Sequence, residues 1–204
     1  AFAGFQRLLS LTPDLCRPFD KNRKGLVVGE GCGIIILERE KERKNQNIYG
    51  RILGIGLSSN AYHMTAPHFK GDGELSVMKK AIDNSGISID DIDYISAHGT
   101  GTKANDRIET LAIKNLFVKQ SLPPASSIKS MLGHSMGAAS ILEMIACLLM
   151  LQKNIILPTA NYEAKDEECD LDVVANKPRK QKLNCVISNS FAFGGQTSSV
   201  VIGV

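Results

Sequence analysis

The sequence has little excess charge of either sign. Its 204 residues carry 24 Lys and Arg against 21 Asp and Glu, and the resulting net charge of +3 is too small to indicate a nucleic-acid partner. The densest charged run, residues 38–44, alternates in sign and predicts a solvated helix face. With 43% hydrophobic and 22% charged residues, the composition is that of a soluble globular protein long enough for one full core.

Cysteine pairs of the CxxC type are missing, and so is a convincing set of metal ligands. The five cysteines are an odd number with mostly apolar neighbours, so we expect reduced thiols in a reducing compartment. They are Cys16, Cys32, Cys147, Cys169 and Cys185. His63 and His68 lack a third ligand at a suitable spacing, so no metal site is predicted.

A leader segment and long apolar runs are also missing. No basic region followed by an apolar core and a cleavage site opens the sequence. The longest apolar stretch, residues 137–151, contains Ser140 and Glu143 and is shorter than the ~20 residues that cross a bilayer. We therefore expect a cytoplasmic protein without a membrane partner.

The sequence opens without an initiator methionine or a helix-capping residue. Residues 1–9 are apolar on most sides, which is typical of the middle of a buried helix. We therefore expect the chain to begin inside a domain.

The pattern of apolar residues predicts strands that alternate with helices, and hence an α/β fold. Residues 33–37 are a continuous apolar, mostly β-branched run, typical of a strand buried on both faces, and the charged helix follows it to about residue 47. Residues 138–151 are apolar almost all round, which favours a helix enclosed by several layers. The other predicted helices cover residues 74–84, closed by Gly86, and 107–117; the other strands cover residues 48–55, 93–96, 184–188 and 198–204.

Two of the four histidines occupy positions where α/β folds bind ligands. His98 follows a predicted strand and opens a turn rich in glycine and hydroxyl groups, and His134 directly precedes the apolar helix. The positive end of that helix dipole should keep the His134 ring neutral. Two neutral imidazoles aimed at one carbonyl oxygen would stabilise an enolate, although a structural histidine is the alternative at either position.

The charged residues near these histidines are ambiguous from pattern alone. Lys129 is compatible with a surface lysine, and Asp106 and Glu109 with capping of the helix that follows His98. Glu143 is the one charge in an otherwise apolar helix, so it must be paired or protonated. The Phe193-Gly194-Gly195 segment could be a plain turn.

Five segments together resemble the β-ketoacyl synthases of fatty acid and polyketide synthesis, a branch of the thiolase superfamily. The resemblance runs from about Gly4 to the end of the sequence. The segments are residues 17–20 (RPFD), 28–33 (VGEGCG), 97–102 (AHGTGT), 129–134 (KSMLGH) and 189–195 (NSFAFGG). The resemblance implies a thiolase-like fold, the C-terminal half of a layered αβαβα sandwich, with residues 1–30 as the end of the N-terminal half and its linker and residues 31–204 as the C-terminal half.

The resemblance also implies roles for individual residues. His98 and His134 correspond to the pair that binds the malonyl thioester oxygen, and Lys129 to the catalytic lysine, with Glu143 as a charged neighbour. Thr100 and Thr102 correspond to hydroxyls that hold the pantetheine arm of the carrier. Phe193 and Gly194 correspond to the gating turn, whose Phe193 N–H is available to an oxyanion hole. Asp106 and Glu109 correspond to supporting residues after the first histidine.

The implied reaction is a decarboxylative condensation of an acyl thioester with malonyl-acyl-carrier protein. It needs no metal or organic cofactor beyond the phosphopantetheine of the carrier. None of the five cysteines has the sequence context of the family's nucleophile, so we expect that cysteine in a missing N-terminal half. The implied partners are acyl carrier protein, that half and, in the complete enzyme, a second copy.

Two other readings stay open. One is a non-catalytic partner subunit of the chain-length-factor type, although such subunits typically lose catalytic residues, whereas His98, His134 and Lys129 are retained. The other is a thiolase, which has a similar stretch around its histidine but lacks the HGTGT motif and needs a cysteine near its C-terminus. Cys185 lies in a predicted strand and does not fit that role.

Overall fold

The computed structural model describes residues 2–42 and 48–204. The helices are α1 (Phe2–Arg7), α2 (Asp72–Ser85), α3 (Lys103–Leu116), α4 (Lys129–Leu132) and α5 (Ala139–Lys153), with 3-10 turns at Ile89–Asp91, Met136–Ala138 and Glu167–Cys169. The strands are β1 (Arg51–Ser59), β2 (Tyr94–Ser96), β3 (Ala125–Ser126), β4 (Ile155–Ile156), β5 (Arg179–Lys180), β6 (Cys185–Phe191) and β7 (Gln196–Gly203).

Five of these strands form one mixed sheet in the order β1-β7-β6-β2-β3. The pairs β1–β7 and β7–β6 are antiparallel, whereas the pairs β6–β2 and β2–β3 are parallel. Because successive residues of a strand face opposite sides, Val186 and Ile187 of β6 belong to two different cores. Ile187 packs in the core beneath α2 and α3, and Val186 in the core beneath α5. The result is the α/β layering predicted from the sequence.

Two glycines of β1 let α2 lie directly on the sheet. A Cβ atom at Gly54 would lie 2.2 Å from the Ala81 carbonyl oxygen, and one at Gly56 would lie 2.1 Å from that of Val77. No side chain fits in this space, so α2 is held against the sheet backbone. This contact fixes the position of the first turn of α2 next to the end of β1.

Most of the predicted elements after residue 48 are present. Helices α2, α3 and α5 and strands β2, β6 and β7 lie within a few residues of the predicted bounds. Gly86 ends α2 in the left-handed conformation, with φ of 73°, as its position predicted. The predicted strand at 48–55 is shifted toward the C-terminus, because its pairing with β7 begins at Arg51 and continues to Ser59.

The predictions for residues 33–42 are wrong. Residues 33–37 form no strand, and Ile34 and Ile36 are 83% and 85% exposed. A strand buried on both faces needs a pairing partner on each side, and no strand among the described residues pairs with this segment. Residues 38–39 are irregular and residues 40–42 form a turn instead of a helix, and the rest of that predicted helix lies outside the described residues.

The two apolar helices α1 and α5 are less buried than their sequences predict. α1 is helical, but none of its residues is buried, and Phe2 is 62% exposed. α5 buries one side against the sheet, whereas Leu149 on another side is 41% exposed. The remaining sides have no covering layer among residues 2–42 and 48–204.

The apolar segment around α5 is also longer than predicted. Met136–Lys153 is continuously helical over 18 residues, and its length and composition would allow it to cross a membrane. In this structure it packs on the sheet, and its buried Glu143 forms an ion pair with Lys129. Both features are typical of a core helix in a layered fold.

Candidate functional site

Glu109 shapes the loop that carries His98. His98 lies two residues after the end of β2, and the main-chain N–H groups of His98 and Gly99 donate to the two carboxylate oxygens of Glu109, at 2.8 and 2.9 Å. Glu109 lies on α3 and is fully buried. Burial raises the pKa of Glu109 to about 7, and the two main-chain donors act in the opposite direction.

Asp106 fixes the other half of the same loop. Its Oδ1 accepts hydrogen bonds from the N–H groups of Thr100 and Gly101, at 3.1 and 3.3 Å, and its Oδ2 accepts one from Phe19 at 2.8 Å. The pattern alone is compatible with Asp106 and Glu109 as helix caps and the resemblance implies a supporting role; the N-cap of α3 is Thr102. Both carboxylates are instead buried supports of the His98 loop.

Lys129 is a buried part of the site and not a surface lysine. It lies at the start of α4 and is 2% exposed. Its Nζ donates to the His98 carbonyl oxygen at 2.6 Å and lies 3.4 Å from His98 Nδ1. It also forms a short ion pair with Glu143 of α5, which confirms that the lone charge of that helix is paired.

His134 is held by its own backbone and by the residue two positions later. Its N–H donates to the Val27 carbonyl oxygen at 2.7 Å, and its carbonyl accepts from the Gly29 N–H at 3.0 Å. The Met136 N–H donates to His134 Nδ1 at 3.1 Å, so the proton of the neutral ring lies on Nε2. This leaves an Nε2–H donor on His134.

The two histidine rings face each other in a setting that keeps both neutral. Their centroids are 5.4 Å apart, at an interplanar angle of 83°. Burial, and next to it the charge of Lys129, lowers the pKa of His134 to about 4 and that of His98 well below its ordinary value. The sequence analysis predicted a neutral His134 but gave the helix dipole as the cause. In the structure α5 begins only at Ala139, after a 3-10 turn, and burial and Lys129 are the causes instead.

His98 and His134 line one open groove of about 1060 Å³, whereas Asp106, Glu109, Lys129 and Glu143 lie behind its wall. The groove contains every residue predicted to bind substrate, namely Thr100, Thr102, Phe193 and Gly194, together with both histidines. The Thr100 and Thr102 hydroxyls lie 2.8 Å apart. The Phe193 ring is 47% exposed and packs on Phe5, with centroids 5.4 Å apart.

The turn after β6 offers a free main-chain donor to the groove. Within the part of the chain that the structure describes, the N–H of Phe193 has no hydrogen-bond acceptor. Gly194 and Gly195 have φ of 84° and 79°, which residues with a side chain rarely adopt. The segment is therefore a glycine turn with a specific backbone shape, which the motif alone did not distinguish from a plain turn.

Sequence reasoning missed three contributors to the site. Phe191 lies against the His98 ring, with centroids 5.6 Å apart, and Met136 supplies the N–H to His134 from a residue with φ of 51°. Arg23 is buried, with its Nε 3.7 Å from Asp106 Oδ2. An apolar residue gives no signal that its backbone acts as a donor. For Arg23 there was a signal in the sequence, because this charged residue lies three positions after the RPFD motif.

The cysteines provide no nucleophile within this site. Cys16, Cys147, Cys169 and Cys185 are buried, and Cys32 is exposed; all five are free thiols. Cys16 approaches the groove loop most closely, with its Sγ 3.6 Å from the Thr100 carbonyl oxygen. Burial raises its pKa to about 11, so its thiolate is scarce at neutral pH.

The layers of helix and sheet define a thiolase-like fold. Structures with this fold include the ishigamide ketosynthase/chain length factor, with a TM-score of 0.93 and 44% identity over 100% of this chain and 50% of that one. The AntDE:AntF complex of a type II ketosynthase with its acyl-carrier protein has a TM-score of 0.96 and 33% identity, over 100% of this chain and 52% of that one.

The family follows from the sequence comparison. The beta-ketoacyl synthase C-terminal domain matches residues 49–163, and the N-terminal domain of the same family matches residues 1–43. The chain therefore belongs to the β-ketoacyl synthase family and corresponds to a C-terminal portion of its members.

Curated proteins of about twice the matched length are similar to this chain. Nodulation protein E of Rhizobium meliloti is 45% identical over 195 residues, which cover 94% of this chain and 48% of the relative. The 3-oxoacyl-[acyl-carrier-protein] synthase 2 of Coxiella burnetii is 44% identical over 189 residues, 91% of this chain and 46% of the relative. The chain thus spans about half the length of the curated relatives that it matches.

Proposed function

We propose that this chain supplies the decarboxylating half of the active site of a 3-oxoacyl-[acyl-carrier-protein] synthase. The observation that carries the proposal is the pair of neutral histidines, 5.4 Å apart, at one groove. Neutral rings can donate N–H groups to a thioester oxygen without drawing a proton from solvent, and they stabilise the charge that develops there.

The first proposed stage is acyl transfer to a cysteine on the N-terminal half. The cysteine sulfur forms a bond to the acyl carbon, the bond from that carbon to the carrier's sulfur breaks, and the carrier thiol leaves with the cysteine's proton. The free N–H of Phe193 is a donor for the oxygen of this tetrahedral intermediate. The hydroxyls of Thr100 and Thr102 line the groove where the pantetheine arm would lie.

The second proposed stage is condensation. The bond between the malonyl carboxylate and its α-carbon breaks, CO₂ leaves, and the electron pair forms an enolate whose oxygen accepts hydrogen bonds from His98 and His134. The enolate carbon then attacks the acyl-cysteine and expels the cysteine thiolate, which gives the 3-oxoacyl product. Lys129, with Glu143 behind it, holds His98 through its main-chain oxygen, and its charge adds to burial in lowering the pKa of the imidazole.

Several parts of the proposal lie outside this chain. The carrier's phosphopantetheine is the only prosthetic group required, and the synthase needs no metal ion. Solved relatives include ketosynthases bound to acyl-carrier protein and to chain length factors, which supports partners of these kinds. A homodimer of the complete enzyme, a cytoplasmic location and the absence of nucleic-acid and membrane partners remain predictions from the sequence.

A second candidate is a non-catalytic subunit that pairs with a synthase. It is favoured by the resemblance to structures whose names include a chain length factor. It is disfavoured by the retention of His98 and His134 at one groove, with Lys129 buried behind His98. A subunit that does no chemistry has no need for two buried, uncharged imidazoles beside a lysine.

The test is product formation from acyl-carrier and malonyl-carrier substrates. The chain is assayed alone and together with an N-terminal half that bears the cysteine, on one polypeptide or on two. We expect 3-oxoacyl-carrier protein only when both halves are present. A complete protein that makes no 3-oxoacyl product, with its carrier substrates intact, would favour the non-catalytic subunit instead.

A further inference from the structure

Glu74 is a buried carboxylate at the groove that the proposed reaction does not use. It lies in the first turn of α2, is 2% exposed, and lines the same groove as the two histidines. Its Oε1 accepts a hydrogen bond from Asn60 Nδ2 at 2.8 Å. Its Oε2 has no hydrogen-bond partner and no Lys, Arg or His side chain pairs with it among the described residues. A buried carboxyl oxygen without a partner costs stability, so its retention at the groove calls for an explanation other than folding.

Asn60 connects Glu74 to the glycine turn. It follows directly on β1, and its main-chain N–H donates to the Gly195 carbonyl oxygen at 2.7 Å. Gly195 lies so close that a Cβ atom there would be 3.3 Å from Asn60 Cβ. On the other side, a Cβ atom at Gly73 would be 1.7 Å from Asn60 Oδ1. The Asn60 side chain is therefore enclosed between α2 and the turn.

The same turn carries the free Phe193 N–H. Gly194 donates to the Met64 carbonyl oxygen at 2.7 Å, so the segment from Asn60 to Met64 holds the turn at two points. α2 is itself fixed to the sheet through Gly54 and Gly56. The path from the rigid helix to the Phe193 donor thus runs through Glu74 and then Asn60.

We propose that Glu74 is a positioning residue which, through Asn60, fixes the turn that presents the Phe193 N–H during acyl transfer. The inference rests on the proposed function, because it assigns Phe193 to the acyl-transfer stage and the histidines to decarboxylation. Its consequence is specific to one stage: loss of the Glu74 link misplaces the Phe193 donor and leaves His98 and His134 in place.

The contact requires an acceptor oxygen and not a negative charge. A glutamine at position 74 keeps an oxygen that can accept from Asn60 Nδ2. Its amide N–H₂ can also donate to Asn60 Oδ1, which is buried and without a partner among the residues described. Glu74→Gln therefore preserves the link, whereas Glu74→Ala removes it.

The experiment measures the two stages separately in the complete synthase. Acyl transfer is followed as mass gain of the cysteine-bearing chain with acyl-carrier protein, and decarboxylation as CO₂ release from malonyl-carrier protein. For Glu74→Ala we expect acyl transfer slowed by about 10- to 100-fold, since small misplacements of reacting groups cost up to ~10² in rate. Decarboxylation should be unchanged. Glu74→Gln and the exposed Asp83→Ala on the same helix should match the wild type in both assays.

A purely structural role for Glu74 would lower both rates together, or neither, and either result overturns the proposal. If Glu74→Ala does not fold, Asn60→Ala decides, because it keeps the main-chain donor to Gly195 and loses only the side-chain link. It should show the same loss of acyl transfer alone. Failure of the proposed function is distinguishable: wild-type protein would then show no histidine-dependent decarboxylation, whatever the Glu74 variants do.

Discussion

Two apolar stretches of this chain, residues 185–187 at the start of β6 and residues 33–37, are both rich in β-branched side chains but differ in structure. β6 pairs with β2 on one side and β7 on the other, and its Val186 and Ile187 are fully buried. Residues 33–37 pair with nothing among the described residues, and Ile34 and Ile36 remain exposed. The same residue types form a core strand in one place and an uncovered segment in the other.

The difference shows which part of the fold has all its packing partners within this chain. Within this chain, every element that carries the two histidines, Lys129 and the glycine turn has other elements to pair with or pack against. The segment at 33–37 and the outer side of α5 have apolar side chains but no covering layer in the described residues. A chain that spans about half of its relatives is therefore self-sufficient at the histidine site and incomplete elsewhere.

The largest expected effect on stability is at the buried ion pair. Lys129→Met leaves Glu143, 2% exposed and already with one oxygen unpartnered, without its cation. We expect a loss of about 3–5 kcal/mol in the free energy of unfolding, measured with denaturant. The double variant Lys129→Met/Glu143→Leu should recover most of it. A single variant as stable as the wild type would show that the pair is not a buried, mutually dependent unit.

The next effect compares the two apolar stretches directly. Ile187→Ala removes a fully buried side chain and should lower the free energy of unfolding by about 2–5 kcal/mol. Ile36→Ala, at a site 85% exposed, should change it by less than about 0.5 kcal/mol. Denaturant unfolding of this chain measures both. Equal losses at the two sites would mean that residues 33–37 are covered in solution.

The smallest effect concerns pH. Because the pKa of His134 falls from 6.5 to about 4 on folding, the unfolded chain binds more protons in this range. The free energy of unfolding should therefore decrease as pH falls from 6.5 to 4, by up to roughly 1–3 kcal/mol from this residue. His134→Gln should remove that share. Parallel stability curves for the variant and the wild type would contradict a neutral, buried His134.

The local sequence pattern predicted an element correctly where the chain contains both partners of the contact that stabilises it. The helical period of residues 74–84, and the glycine turn between the segments that form β6 and β7, depend on residues close together in this chain, so these elements were predicted correctly. The strand predicted at residues 33–37 is absent because an apolar run does not show whether a pairing strand exists. The supports of the site, such as Met136 and the Glu74–Asn60 link, act through backbone groups or long-range contacts that no local pattern records.

The central claim is that His98 and His134 together stabilise the enolate. The most direct measurement is CO₂ release from malonyl-carrier protein by the complete synthase and by its His98→Ala/His134→Ala variant, with folding verified by unfolding curves. We expect a loss of at least ~10²–10³-fold, the range found for removal of one such donor. A folded double variant that releases CO₂ at the wild-type rate would contradict the account.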